Sequence, residues 1–197
     1  MVDFIAKNTE LHSPVAPDAL EENEIMINNV RVRIPPKVNP LVAKDALELA
    51  LHVARNGTGE GTKAIGFMIV LASKADYKDP NFGYGSKDNR FKGNNVLVKD
   101  WKKEERFLVS SFVQDGAMVI DAESGRFLSD LFNFQMKTQD ADQNGGLGHK
   151  NASAAGTRGC LAIKCSADHC LSDGVGKGYL KVFAGTKEAI KVPVREQ

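Results

Sequence analysis

Apolar and polar positions alternate in distinct rhythms along this chain, and the rhythm changes mark its elements. Glu24-Ile25-Met26-Ile27 and Val30-Arg31-Val32-Arg33-Ile34 flank Asn28-Asn29. Asn tolerates the positive φ of a two-residue turn, so the pair predicts a β-hairpin, its second strand half-buried on the Val30/Val32/Ile34 side. After Pro35-Pro36, Asn39-Pro40 is a cap followed by a first-turn proline. Leu41, Val42, Leu47, Ala50, Leu51 and Ala54 then repeat at helical spacing, predicting a helix to about Arg55 with Gly57 ending it. The continuous apolar run Ala64 to Leu71 predicts a strand buried on both faces.

Residues 73 to 95 lose this periodicity and carry many Gly, Asp, Asn and Lys side chains, which predicts a long surface loop. Val96-Leu97-Val98 reads as a short strand, and Asp100 as the cap of a helix from Trp101 to about Val113. Ala117 to Asp121 and Arg126 to Phe132 predict strands paired around Ser124-Gly125. A helix is expected from about His149, a strand over Cys160 to Ser166, and an antiparallel pair from Tyr179 to Ala184 and Glu188 to Val194. Helices alternating with strands imply an α/β fold: a single domain with a central mixed β-sheet flanked by helices.

Composition narrows the function classes. The 197 residues suffice for one domain with a buried core and leave little room for two. With 26 basic and 25 acidic side chains scattered along the chain, no basic face for a long nucleic acid or a membrane surface is visible. The N-terminus lacks a secretory pattern and no apolar run is long enough to span a bilayer, so a cytoplasmic location is expected. Cys160, Cys165 and Cys170, an odd number spaced by five without a C-x-x-C pair, are expected to be reduced thiols. With His169 they lack the short ligand spacings of a zinc site. Gly57 to Lys63 departs from G-x-x-x-x-G-K-[ST] and follows a helix, so it reads as a connector.

Two polar knots carry candidate chemistry. Asp115-Gly116-Ala117 stands between a predicted helix and a buried strand, and Gly146-Leu147-Gly148-His149-Lys150-Asn151-Ala152 follows about thirty residues later. A carboxylate beside a glycine that admits a ligand to the backbone, followed by a glycine-rich turn with His and Lys, suits a nucleoside triphosphate and its metal.

Together with the ordered elements from about Val42 to Val192, these motifs resemble the diadenylate cyclase domain of the DNA integrity scanning protein and its relatives. Asp115-Gly116-Ala117 matches that family's Asp-Gly-Ala motif, and Asn81-Phe82-Gly83-Tyr84 is similar to its Asn-Pro-Phe loop with the proline displaced to Pro80. The second motif, Gly-(Thr/Ala)-Arg-His-Arg, is degenerate: Gly146, His149, Lys150 and Ala152 fit, whereas Gly148 replaces the first Arg. Arg158 is the nearest candidate replacement, and a basic group from Arg158 or Lys164 at the site would favour an enzyme. Ser166-Ala167-Asp168 is similar to the family's Ser-Glu-Glu.

The resemblance implies a diadenylate cyclase-like domain over residues 41 to 197, preceded by an arm and hairpin extension over residues 1 to 40. It further implies condensation of two ATP into cyclic di-AMP and pyrophosphate by a homodimer or higher homo-oligomer, with Mn2+ or Mg2+. Asp115 and His149 would be catalytic; Gly116, Ala117, Gly146, Lys150 and Ser166 would bind the nucleotide; Asp115 and Asp168 would hold the metal. Two alternatives stay open: a module of the same fold that binds a nucleotide without turning it over, and a protein-interaction domain with no nucleotide site.

Overall fold

The computed structural model describes residues 22–57, 66–112, 116–139, 141–167 and 178–195. A hairpin of β1 (Glu24–Ile27) and β2 (Val30–Arg33) turns through Asn28 and Asn29, both at positive φ as expected. Helix α1 (Pro40–Asn56) is capped by Asn39, whose side chain accepts from the Leu41 N–H. Gly57 takes a positive φ at its end.

The remaining elements are β3 (Phe67–Ala72), α2 (Lys74–Lys78), β4 (Gly83–Gly85), α3 (Glu105–Ser111), β5 (Ala117–Asp121), β6 (Phe127–Phe134), α4 (Leu147–Thr157), β7 (Leu161–Cys165), β8 (Tyr179–Ala184) and β9 (Ile190–Pro193). Strands β3 to β9 form one sheet in the order β4-β6-β5-β3-β7-β8-β9. Among the described residues only β3 and β5 pair in parallel; every other ladder is antiparallel. The fold is therefore α/β with a central mixed sheet flanked by helices, as the rhythm of the sequence predicts.

Period-two alternation divides the sheet's side chains between two cores. Ile69, Leu71, Ile120, Leu161, Ile163 and Val182 face α1, together with Val32 and Ile34 from the hairpin segment. Val70, Val119, Ala162 and Phe183 face the small residues Ala152 and Ala155 of α4. Small side chains let that helix lie close: a Cβ on Gly156 would come within 2.6 Å of the Thr186 carbonyl oxygen.

The stretch 73 to 95 is more ordered than its composition predicts. Ser73 caps α2 by accepting from the Asp76 N–H, and β4 adds an edge strand to β6. Phe82 and Phe91 are buried, the latter stacked on Phe127 with ring centroids 4.9 Å apart. Two other expectations are corrected. Leu97 makes only an isolated bridge to Arg126, and the chain then enters a 3-10 turn at Val98–Asp100. The following helix begins at Glu105, because Asp100 lies in that turn with its carboxylate held by Lys103 at 2.8 Å.

Asp121, buried at the end of β5, accepts from the Glu123 and Ser124 N–H groups and faces Lys74 at 3.4 Å. Burial alone would raise its pKa, but the Ser124 and Glu123 hydrogen bonds and Lys74 outweigh it and hold the carboxyl below its ordinary value. A depressed folded-state pKa contributes stability above the unfolded value of about 4, lost as pH falls through the folded value. Melting curves of the wild type and Asp121→Asn are thus expected to differ at pH 6 and to draw together as pH falls below the ordinary carboxylate range.

Candidate functional site

The N-terminal ends of the parallel strands β3 and β5 open into a cavity of about 510 Å³. Gly66 to Met68 enter from one strand and Gly116 and Ala117 from the other. The end of β6 supplies Phe132, Asn133, Phe134 and Gln135, and Tyr84 of β4 closes that side. Across from them lie the first turns of α4, through Leu147, Gly148 and Asn151, and the end of β7, through Lys164 and Cys165. One wall is aromatic and the opposite side holds a cation and a helix start, a combination suited to a ligand with a flat apolar part and an anionic part.

Local sequence explains how the walls meet. Gly116 has φ +148°, and a Cβ there would sit 3.1 Å from the Leu131 Cα, so only glycine lets β5 start this close to β6. The β5–β6 register shifts between Ala117 and Val119, a bulge that locally re-aims the strand. Helix α4 starts at Gly146, which contributes no side-chain cap, and the first helical turn leaves backbone N–H groups without intrahelical partners.

Of the residues singled out from the sequence, Gly116 and Ala117 line the cavity. Gly146 immediately precedes it as the cap of α4, and Lys150, half-buried, is one turn inside that helix. Ser166 follows β7 and accepts from Lys164 Nζ at 3.0 Å, which joins it to the cavity wall. Asp115 and Asp168 lie outside the described residues.

His149 takes a different direction. Leu147, Gly148 and Asn151 present one side of α4 to the cavity; at 100° per residue His149 falls near the opposite side. The residue is 6% exposed, and its ring packs edge-on against Phe183 and places Nε2 2.9 Å from Asp142 Oδ2. One turn on, Ser153 accepts from the Asp142 N–H and donates to the Lys187 carbonyl. His149 and Ser153 thus grip the segment leading into α4. The Asn144 N–H and the His149 ring hold the Asp142 carboxyl below its ordinary range. Gly145 is required here because a Cβ would lie 2.7 Å from the His149 side chain.

The two candidate cations separate clearly. Arg158, at the far end of α4, donates to Asp79 Oδ2 at 2.6 Å and lies over the Phe82 ring, outside the cavity. Lys164 lines the cavity, and a Cβ on Gly148 would meet its Cε at 3.2 Å. The sequence lists Lys164 as an option, but without knowing that β7 and α4 face each other it offers no reason to prefer it.

No carboxylate lines the cavity among the described residues, and none of them forms a group of three His, Cys, Asp or Glu able to hold a metal. A divalent cation there would need a ligand such as Asp115, adjacent in the chain to Gly116. A second cavity, about 550 Å³, opens at the opposite ends of the same strands, lined by Asn39, Ser73, Lys74 and Asp121 among others.

The expectation of three reduced cysteines fails at Cys165, which is disulfide-bonded. Cys160 is the free thiol among the described residues, and burial pushes its pKa up to about 12. Iodoacetamide at pH 8 should leave Cys160 unlabelled in the native protein and label it after unfolding, as read by peptide mass spectrometry.

No family model matches the sequence, and no curated protein matches it. Among solved structures, a double-cysteine mutant of DacA from Staphylococcus aureus is similar at 13% identity and a TM-score of 0.45, covering 77% of this chain and 85% of that one. No helix among the described residues is long and apolar enough to cross a membrane.

Proposed function

We propose that the cavity between β3, β5, β6 and α4 binds ATP with Mn2+ or Mg2+, and that the protein condenses two ATP into cyclic di-AMP and pyrophosphate. The observation that carries this reading is the meeting of Gly116-Ala117, the bare first turn of α4 and Lys164 around one cavity with an aromatic wall. The resemblance drawn from the Asp-Gly-Ala motif requires those parts to converge, although they are far apart along the chain.

On this reading Tyr84, Phe134 and Met68 flank the base, Asn133, Gln135 and Asn151 offer hydrogen bonds, and the phosphates lie toward α4 and Lys164. The 3′-hydroxyl of each ATP attacks the α-phosphorus of the other, and pyrophosphate leaves, so two cavities must face each other. Leu147 is 71% and Tyr84 57% exposed at the mouth, apolar surface that a second copy would cover. The protein's contribution is alignment and charge neutralisation. Asp115 would activate the hydroxyl or hold the cation, and His149 would act as a positioning residue by fixing the entry to α4. Lys150, Ser166 and Asp168 would complete the polar surroundings of the phosphates and metal.

A second reading, nucleotide binding without turnover, is favoured by the absence of a guanidinium at Gly148 and by the engagement of Arg158 with Asp79. Incubation with ATP and Mn2+ followed by mass spectrometry separates the two. Cyclic di-AMP is the expected product; bound but unchanged ATP selects the second reading, and no bound nucleotide overturns both.

A further inference from the structure

On the sheet face that carries α4, the rows change character beside the first turn of the helix. Val70, Ala162 and Phe183 form one cross-strand row and pack beneath the helix. Two residues along, the register places Met68 opposite Lys164, Lys164 opposite Lys181, and Lys181 opposite Lys191. Directly opposed residues of antiparallel strands share a face with Cβ atoms roughly 5 Å apart, so three lysines stand side by side across β7, β8 and β9. Lys191 also lies over the Tyr179 ring, with Nζ 4.8 Å from its centroid.

Like charges directly opposed in a sheet oppose pairing. Among the described residues no carboxylate lies within ion-pair distance of Lys181 or Lys191. Protection of a sheet edge accounts for Lys191 on β9, but β7 and β8 are interior strands, so it does not account for Lys164 and Lys181. Lys164 starts the row inside the cavity, and the missing side chain at Gly148 leaves room for its ammonium beside α4.

We infer that Lys164, Lys181 and Lys191 form a cationic track for the polyphosphate of the ligand, with Lys164 at the cavity end. The assignment rests on the nucleotide reading and deepens it: the site recognises its ligand by phosphate chain length, preferring a triphosphate to a monophosphate. A free nucleotide is favoured over a polynucleotide because the whole chain carries a net charge of only +1.

The test is calorimetric titration of ATP, AMP and inorganic tripolyphosphate into the wild type, Lys164→Gln, Lys181→Gln and the double variant, with thermal melting to verify folding. Lys164→Gln should weaken ATP and tripolyphosphate by roughly tenfold or more while changing AMP by less than about threefold. Lys181→Gln should weaken them less, and each loss should shrink as salt rises. Gly148→Arg introduced into Lys164→Gln should recover ATP affinity, because the arginine enters the vacated space; a merely structural lysine gives no such recovery. Equal losses for ATP and AMP, unchanged affinities, failure of the wild type to bind either polyanion, or lysine-dependent binding of oligouridylate in preference to ATP overturns the inference. Lysine-dependent tripolyphosphate binding without cyclic di-AMP formation sinks only the cyclase reading, and undiminished cyclic di-AMP formation by the double variant sinks only the track.

Discussion

Asp130→Ala is expected to lower the stability of the protein by about 3 kcal/mol, a fall in Tm of roughly 6–12 °C for a chain of this size. Asp130 lies in the middle of β6 with its side chain fully buried. It accepts from Arg90 Nε at 2.7 Å and from the Arg90 backbone N–H at 3.2 Å. Removing the carboxylate strands a guanidinium that already has a buried Nη2 without a hydrogen bond. Arg90 is one-third exposed, which keeps the loss at the lower end of that range for broken buried pairs. Asp130→Asn retains an acceptor and should lose only about 1–2 kcal/mol. Thermal melts of both variants check this; equal, small shifts would mean that the pair contributes little.

The second large effect concerns turnover. Asp115→Asn should reduce any cyclic di-AMP formation by on the order of a hundredfold to a thousandfold while leaving the melting temperature near that of the wild type. The change removes a charge and keeps the side chain's shape. Its neighbour in the chain, Gly116, lines the cavity at a backbone conformation that holds β5 against β6. Comparing initial rates from quantified product decides the point, and an unchanged rate removes the proposed role of Asp115.

Where hydrophobic rhythm was strong, the sequence sufficed to predict the elements. The hairpin, α1 and the β5–β6 and β8–β9 pairs follow from periodicity, Asn and Gly turns and the Asn39-Pro40 start. Residues 73 to 95 were illegible because their order comes from distant partners. Asn89 donates to the Leu128 carbonyl, Arg90 pairs with Asp130, and Phe91 stacks on Phe127, all contacts that local polarity cannot announce.

The candidate site divides in the same way. Gly116 and Ala117 were legible from their motif, and they do line the cavity. His149 looked like a ligand-facing group because motif order carries no helical phase; the phase turns it to Asp142 and Phe183. Lys164 and the lysine row required the register of β7, β8 and β9. A lysine every ten to seventeen residues has no visible pattern until strands bring its members side by side.

The most direct test of the nucleotide-site account is amide chemical-shift mapping with a non-hydrolysable ATP analogue and Mg2+. The account predicts saturable shifts concentrated at Gly116, Ala117, Gly148, Asn151 and Lys164. Shifts centred instead on Ser73, Lys74 and Asp121 at the other end of the strands, or no saturable shifts at all, would contradict it.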